Sequence, residues 1–291
     1  MSSIAGAGGS TSTGETVAKV PVFLMAGQSN MEGYGPREDS DKGDWELAKS
    51  LAEVIADGEE QAQILQPRDD VWVHFDSDSP VQLPGLLAPG FGARPAFIGP
   101  ELSFGQVVGD ALAEPVVLYK TATGGTTLGA DWRPPSAGGD TGTLYTRMIS
   151  GFQVFLQNDV ASTFPSAIQE RGFDVAGFVW LQGWNDQFED GFVAQYETNL
   201  VALVKDVRSD LGLPTLPAYV VEGPTIDEEL RAARQAAVAT LNAEQAGTVV
   251  LIETNDLVEE EIPGNFHFHF NAKNYLEVGR RTAEAVLAVR P

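Results

Sequence analysis

The segment from Lys19 to Gly35, KVPVFLMAGQSNMEGYG, constrains the fold of this chain more than any other stretch. Its first part, Val20 to Met25, is a nearly continuous apolar run, which is typical of a strand buried on both faces of a parallel sheet. The apolar run stops at Gly27, and a lone serine, Ser29, follows between small and amide residues. Ligands bind at the carboxyl ends of such strands, because the loops diverge there and leave a crevice. We therefore expect Ser29 to lie at the carboxyl edge of a sheet, with its hydroxyl exposed.

From Gly99 onwards, strand and helix patterns alternate as they do in βαβ units. The predicted strands are Val116 to Lys120, Val175 to Leu181, Ala218 to Val221 and Thr248 to Ile252. The predicted helices are 101–113, Leu144 to Leu156, Ala194 to Leu211, Glu228 to Ala246 and Ala272 to Val289. This alternation predicts an α/β fold with a central, mainly parallel sheet.

The domain organisation follows from length and composition. The chain has 291 residues and is 43% hydrophobic, which is enough for one large core. Residues 1–18 are rich in Gly, Ser and Thr and predict a flexible tail, whereas no linker divides residues 19–291, which we expect to form a single domain. Residues 32–99 form a loop-rich insertion that we place near the active edge, with a helix at Trp45 to Ala56 and a strand at Val71 to Val73.

The charge of the chain argues against several classes of partner. There are 41 acidic and 18 basic side chains, which give a formal net charge of −23. Such a charge repels nucleic acids and anionic membranes, so we expect neither as a partner. No apolar run is long enough for a membrane-spanning helix. The chain has no cysteine, which excludes disulfides, zinc–thiolate sites and cysteine nucleophiles.

Small or amide residues follow three of the predicted strands. They are Gly27-Gln28-Ser29-Asn30, Gly124-Gly125 and Gln182-Gly183-Trp184-Asn185-Asp186. Enzymes that transfer acyl groups need hydrogen-bond donors aimed at the oxygen of a tetrahedral intermediate. Each preorganised donor stabilises the transition state by about 3 kcal/mol. The backbone N–H groups of Ser29 and Gly125 can act in this way, because glycine lets the main chain approach closely. The side-chain amide of Gln182 or of Asn185 can supply a third donor.

A serine nucleophile also needs a base, and the pKa of histidine suits that task near neutral pH. The chain has only three histidines, His74, His267 and His269. His269 is the strongest candidate, because it immediately precedes the last predicted helix, which would fix its approach to the sheet edge.

Five blocks occur in a fixed order along the chain. They are AGQSNMEGYG, GPELSFG, the K-x-x-x-GG-T-x-L-x-x-x-W stretch from Lys120 to Trp132, WLQGWND and HFNAKNYLEVGRR. Together they resemble the SGNH hydrolases of the sialate O-acetylesterase-like and carbohydrate esterase family six group, over roughly Val20 to Val289. The resemblance implies a flavodoxin-like, three-layer α/β/α sandwich that removes acetyl groups from sugars without a metal or an organic cofactor. It also implies that Ser29 is the nucleophile, that Ser29 and Gly125 give oxyanion N–H donors, and that His269 is the base.

The fourth of these blocks, WLQGWND, departs from the pattern of this group. The group usually has Gln-Gly-Glu, but Trp184 replaces the glutamate here. The resulting GWND resembles the third block of the wider superfamily, in which the asparagine is the oxyanion donor. Gln182 and Asn185 therefore both remain candidates.

The acid that orients the histidine is the second departure. The superfamily places an aspartate three residues before the histidine, and that position is Phe266 here. We expect Asp256 to replace this acid, with Asp186 and Glu253 as alternatives near other strand exits. A further alternative is that a backbone carbonyl holds the imidazole of His269, which would leave a Ser-His dyad.

Three further side chains are candidates for binding the substrate. Trp184 can stack on a sugar ring, Gln28 flanks the serine, and His267 fits the rim of the site. His267 and His269 form an H-x-H pattern near Glu259 to Glu261, which metal sites sometimes show. We expect no metal there, because the pattern has no firm third ligand and an acidic run is more often a solvated loop.

These observations predict a serine esterase that removes acetyl or other short acyl groups from an acetylated oligo- or polysaccharide through an acyl-enzyme. One alternative is a lipid or thioester hydrolase of the same fold. The other is a non-catalytic carbohydrate-binding relative, which the missing acid suggests. We expect a secreted or periplasmic location, although the first 19 residues have neither the basic nor the apolar region of a signal peptide.

Overall fold

The computed structural model describes residues 18–77, 84–159 and 164–289. Its strands are β1 (Val20–Gly27), β2 (Gly35–Pro36), β3 (Val71–Asp76), β4 (Gly85–Leu86), β5 (Phe97–Ile98), β6 (Val116–Ala122), β7 (Phe173–Leu181), β8 (Ala218–Val221) and β9 (Val249–Ile252). Seven of them form one sheet in the order β4-β3-β6-β1-β7-β8-β9, while β2 and β5 pair separately. The seven strands are parallel except for β4, which runs antiparallel to β3.

Helices cover both faces of this sheet. They are α1 (Ser29–Glu32), α2 (Leu51–Ala56), α3 (Glu101–Ala111), α4 (Thr143–Val154), α5 (Ser166–Gln169), α6 (Phe192–Asp210), α7 (Glu228–Glu244) and α8 (Ala272–Val289). Successive side chains of β1 serve opposite faces: Leu24 packs in one core with α4, α6 and α7, while Phe23 packs in a second core with α2, α3 and α8. The predicted α/β/α sandwich with a mainly parallel sheet is confirmed.

The sheet register brings the three predicted strand exits to one edge. Gly27 at the end of β1 lies opposite Ala122 at the end of β6 and opposite Leu181 at the end of β7. The next backbone groups continue the pairing, because Gln28 N donates to Leu181 O and Thr123 N donates to Gly27 O, both at 3.2 Å. The residues that follow these strands therefore start side by side.

The helix predicted from Trp45 begins instead at Leu51, so that prediction is wrong at its start. Ser50 is the N-cap: its hydroxyl accepts a hydrogen bond from Glu53 N, while the Glu53 carboxylate accepts one from Ser50 N. This capping box fixes where the helix starts. Trp45 stacks instead on Phe270, with ring centroids 4.7 Å apart.

A fully buried lysine, Lys120 on β6, joins three parts of the chain. Its ammonium group donates at 2.7 Å to Glu101 Oε2 at the start of α3, to the Glu32 carbonyl at the end of α1, and to the Phe91 carbonyl in the 32–99 insertion. Burial lowers the pKa of Lys120, and Glu101 opposes that shift. Since each partner is an oxygen acceptor, the buried charge is fully hydrogen-bonded.

Among the residues that the structure describes, none of the helices combines the length and the apolar character needed to cross a membrane.

Replacing Lys120 with methionine removes the ammonium group and leaves the Glu101 carboxylate buried without its cation. We expect the free energy of unfolding to fall by about 3–5 kcal/mol, as measured by urea denaturation. The Glu101 carboxylate would remain buried with no cation to offset the loss of its hydration. Lys205→Met is the matched control, since it breaks an exposed pair with Glu244. The control should lose less than about 1 kcal/mol. Equal losses in the two variants would contradict the role assigned to Lys120.

Candidate active site

Ser29 is the first residue of α1 and follows β1 after a single intervening residue, Gln28. The turn is tight, because a Cβ added at Gly27 would lie only 2.0 Å from the carbonyl oxygen of Leu181. Only glycine fits there. Ser29 is 7% exposed, so its side chain is more enclosed than the sequence predicts.

The glycine pair after β6 lies beside this serine. A Cβ added at Gly124 would be 3.5 Å from Ser29 Cβ and 2.9 Å from Glu32 Oε2. Gly125 has a φ of +75°, a conformation that residues with side chains rarely adopt. Burial raises the pKa of the Glu32 carboxyl, while hydrogen bonds from Gly124 N–H and the Tyr34 hydroxyl lower it. The Gly124-Gly125 turn is therefore held against the start of α1.

The two side-chain amides after β7 differ in their remaining hydrogen-bonding capacity. Gln182 Nε2 lies within hydrogen-bond distance of three protein acceptors: Gln28 Oε1 at 3.1 Å, Thr126 O at 3.1 Å and Asp186 Oδ2 at 2.5 Å. An amide nitrogen carries only two hydrogens, so both are used within the protein. Asn185 Nδ2 donates to Thr126 O at 3.2 Å and keeps its second hydrogen.

Asp186 is fully buried and connects two strand exits. Its carboxylate accepts hydrogen bonds from Leu128 N at 3.1 Å and Gly129 N at 2.9 Å, besides the bond from Gln182. Burial raises the pKa of Asp186, and these donors lower it. The structure thus places Asp186 as a bridge between the loops after β6 and β7.

The segment Asn265–Phe270 carries both candidate histidines and has an unusual backbone. Phe268, His269 and Phe270 have φ values of 48°, 60° and 51°, which are rare for residues other than glycine. Strain of this kind concentrates at functional sites. Asn30, next to the serine, anchors the segment, because its Nδ2 donates to Phe266 O at 2.9 Å.

His269 is 1% exposed and makes its contacts within this part of the chain. Its Nε2 accepts a hydrogen bond from Glu259 N at 2.9 Å, and its Nδ1 lies 3.4 Å from the carbonyl of Pro263. Because the Glu259 N–H can only donate, the imidazole proton belongs on Nδ1. Within the described ranges, no hydrogen bond joins Ser29 to His267 or His269.

The three predicted acids lie in other surroundings. Asp256 forms a bidentate pair with Arg281 at 2.6 and 2.8 Å, and its side chain is 61% exposed. Glu253 is exposed, and Asp186 holds the loops described above. In the described structure none of the three bonds to His269, and the carbonyl of Pro263 is the group that faces Nδ1.

His267 lies on the same segment, two residues before His269. Its ring stacks on Tyr34, with centroids 4.1 Å apart and planes 8° from parallel. Its Nδ1 is buried and has no hydrogen-bond partner within residues 18–77, 84–159 and 164–289. Burial lowers the pKa of His267 to about 4. Trp184 is half-buried and packs against Phe266 at 6.0 Å. These rings form an aromatic wall next to the histidine segment.

Glu222, which the sequence analysis did not single out, lies at the same edge of the sheet. It follows β8 directly and is 5% exposed. The sequence does carry a signal for this residue, because Glu222 follows an apolar strand in the same way that Gln28 and Gln182 follow theirs.

A larger, open groove lies between the C-terminal ends of α6 and α7, beside Lys205 and Gln245. It adjoins the loops that lead into β8 and β9. That is the amino edge of the sheet, so the groove is remote from Ser29.

The sequence also matches a known protein family. The family described as carbohydrate esterase, sialic acid-specific acetylesterase, matches residues 19–288. A probable carbohydrate esterase of Arabidopsis thaliana is 25% identical over 232 residues, which is 74% of this chain and 75% of that protein.

Solved structures share the fold. An Arabidopsis thaliana protein superimposes with a TM-score of 0.63 at 20% identity, over 93% of this chain and 98% of that one. A carbohydrate acetylesterase from Xanthomonas citri gives 0.59 at 18% identity, over 92% of this chain and 56% of that one. NanS gives 0.56 at 14% identity, over 94% and 98%. At these identities the likeness shows the fold alone.

The buried imidazole of His267 predicts a pH dependence of stability. Its pKa of about 4 lies below the ordinary 6.5, so between these values the unfolded chain takes up a proton and the folded chain does not. The free energy of unfolding should therefore fall as the pH falls through this window. His267→Gln should remove about 1–2 kcal/mol of the difference in stability between about pH 7 and pH 5, as measured by urea denaturation. Ser29→Ala is the control and should retain the full pH dependence; an unchanged slope in His267→Gln would contradict the prediction.

Proposed function

Because the chain belongs to the carbohydrate esterase family of sialic acid-specific acetylesterases, we propose that it is a serine esterase that removes acetyl groups from an acetylated oligo- or polysaccharide. The observation that carries the proposal is the meeting of Ser29, the Gly124-Gly125 turn and the Asn185 amide at one edge of the sheet. The Arabidopsis thaliana relative that is 25% identical is a probable carbohydrate esterase, which supports a carbohydrate ester as the substrate.

The proposed reaction has two steps. Ser29 Oγ attacks the ester carbonyl carbon while a histidine takes its proton, and collapse of the tetrahedral intermediate transfers that proton to the departing sugar oxygen. Water then attacks the acetyl-serine while the histidine takes a proton from the water, and collapse of the second tetrahedral intermediate returns that proton to Ser29 Oγ as acetic acid leaves and ionises to acetate. The steps use side-chain and backbone groups of the protein and need no metal or organic cofactor.

Three donors are proposed to stabilise the oxyanion. The backbone N–H groups of Ser29 and Gly125 are two of them, as the resemblance implies. Asn185 is favoured as the third over Gln182, because Asn185 keeps a free amide hydrogen and Gln182 does not. Gln28, Trp184 and His267 are proposed to contact the sugar.

We assign the base to His269. In the observed conformation its Nε2 accepts a hydrogen bond from Glu259 N–H, so that bond must break before Nε2 can take a proton from Ser29. The positive φ at His269 supports such a rearrangement, because strained backbone of this kind clusters at active sites and switch regions. The Pro263 carbonyl would hold Nδ1–H in the place of an acid, as in a Ser-His dyad.

A non-catalytic carbohydrate-binding function is the second candidate. One observation favours it: among the described residues, Ser29 has no hydrogen bond to a histidine, and none of the three predicted acids contacts His269.

Ser29→Ala tests the nucleophile. We expect the rate of hydrolysis of an aryl acetate to fall at least about 1,000-fold, because the attacking oxygen is absent. Labelling by a fluorophosphonate should disappear in the same variant. Ser150→Ala is the matched control, since Ser150 is an exposed serine on α4, and it should retain both activity and labelling. Equal rates in wild type and Ser29→Ala would refute the nucleophile; sugar binding by a wild type that is neither labelled nor active would support the second candidate.

A pair of histidine variants tests the base. We expect His269→Ala to lower kcat/KM for the aryl acetate by about 1,000-fold and His267→Ala by no more than about 10-fold, since only the general base moves the serine proton. The two histidines lie on the same segment, so each variant is the control for the other. The reverse ranking would assign the base to His267 and leave the nucleophile unaffected.

A further inference from the structure

A narrow crevice lies directly beside the serine, between the ends of β1, β7 and β8. Gln28 and Asn30, the two neighbours of Ser29, line it together with Trp184 and Glu222. The volume in it that a water-sized group can occupy is about 10 Å³. That is room for about one water molecule, so the crevice can take a single small polar group such as one hydroxyl of a sugar.

Glu222 brings an unpaired carboxylate to this crevice. The residue is 5% exposed, yet no ion pair or side-chain hydrogen bond connects its carboxylate to any other residue in the described ranges. A buried carboxylate is costly unless donors compensate for its lost hydration. Arg234, a buried cation in the same region, donates instead to Gln182 O and Thr225 Oγ1. The fold therefore leaves the acceptor oxygens of Glu222 for a donor from outside the protein.

Gln28 brings an unpaired donor to the same crevice. Its Oε1 accepts hydrogen bonds from Gly183 N and from Gln182 Nε2, both at 3.1 Å. A flipped amide would place its NH₂ group against the N–H of Gly183, which can only donate, so the orientation is fixed. The remaining group, Nε2, is buried and has no hydrogen-bond partner among the described residues, and Gln28 as a whole is 1% exposed.

From these observations we infer that Glu222 and Gln28 form a subsite for a free hydroxyl group of the sugar that carries the ester, an inference that rests on the proposed esterase function. A hydroxyl can donate to the Glu222 carboxylate and accept from Gln28 Nε2 at the same time, which satisfies both unpaired groups. The ring of Trp184 suits the apolar C–H face of the same sugar. A negatively charged carboxylate on the ligand, placed where this hydroxyl would bind, would be repelled by the carboxylate of Glu222.

The subsite predicts which acetylated sugars are preferred. A monoacetylated pyranoside still has free hydroxyl groups next to its ester, whereas a fully acetylated one has none. A site that is built to hydrogen-bond a hydroxyl discriminates strongly against an analogue without it, because its polar groups are then left unpaired. The enzyme should therefore act on partly acetylated sugars in preference to fully acetylated ones.

The experiment compares monoacetylated and fully acetylated methyl pyranosides of xylose and glucose, together with an aryl acetate. Wild type, Glu222→Gln and the control Glu244→Gln are assayed for acetate release; Glu244 is an exposed residue of α7 that pairs with Lys205. The preference is the ratio of kcat/KM for the monoacetate to that for the fully acetylated sugar. We expect Glu222→Gln to lower this ratio by about 10- to 100-fold, while Glu244→Gln leaves it unchanged. If Glu222→Gln does not fold, Glu222→Asp, which withdraws the carboxylate by one methylene, should show the same loss.

The outcomes separate this inference from the proposed function. An active wild type without a preference, or a preference that survives both Glu222 variants, overturns the subsite and leaves the esterase in place. A wild type that hydrolyses none of the acetyl esters, the aryl acetate included, overturns the proposed function itself. A preference that falls in the Glu222 variants alone establishes the subsite.

Discussion

The edge of the sheet that carries Ser29 depends on one buried ammonium group, that of Lys120. Its acceptors come from the end of α1, the start of α3 and the 32–99 insertion, and each hydrogen bond is 2.7 Å long. In a low-dielectric interior a charged donor binds its acceptors strongly, and separating them is costly. Lys120 also lies on β6, a few residues before Gly124 and Gly125. The same interaction therefore fixes the turn that presents Ser29 and the strand that delivers the neighbouring glycines.

A second set of contacts fixes the loops after β6 and β7. Asp186 accepts from two backbone N–H groups of the first loop and from Gln182 of the second. Gln182 in turn bonds to Gln28 beside Ser29. Most polar groups at the edge are used in this network, so those left over are informative. The second amide hydrogen of Asn185, the amide nitrogen of Gln28 and the carboxylate of Glu222 have no hydrogen-bond partner in the part of the chain that the structure describes, and each is a candidate contact for a ligand.

The histidine segment follows a different principle. At the strand exits the positive φ values fall on glycines such as Gly125, whereas the segment Asn265–Phe270 has positive φ at three consecutive residues that carry side chains. Asn30 ties the segment to the turn at Ser29 through the Phe266 carbonyl, while the imidazole of His269 faces Glu259 and Pro263. A hydrogen-bonded framework around Ser29 is thus combined with a strained segment that carries His267 and His269. Strain of this kind is typical of segments that change conformation during a reaction cycle.

The sequence by itself determined the sheet and the place of the serine. The apolar run of β1 and its abrupt end at Gly27 are local signals, and parallel strands align their carboxyl ends whatever the side chains beyond them do. The start of α2 was missed, because the Ser50 capping box outweighs the apolar pattern from Trp45. Only the tertiary structure decided which groups at the edge have partners. Hydrogen bonds such as that between His269 and Glu259 join residues whose relative orientation is set by packing, and no spacing along the chain encodes that orientation. For the same reason the unpaired carboxylate of Glu222 was visible only once the edge was assembled.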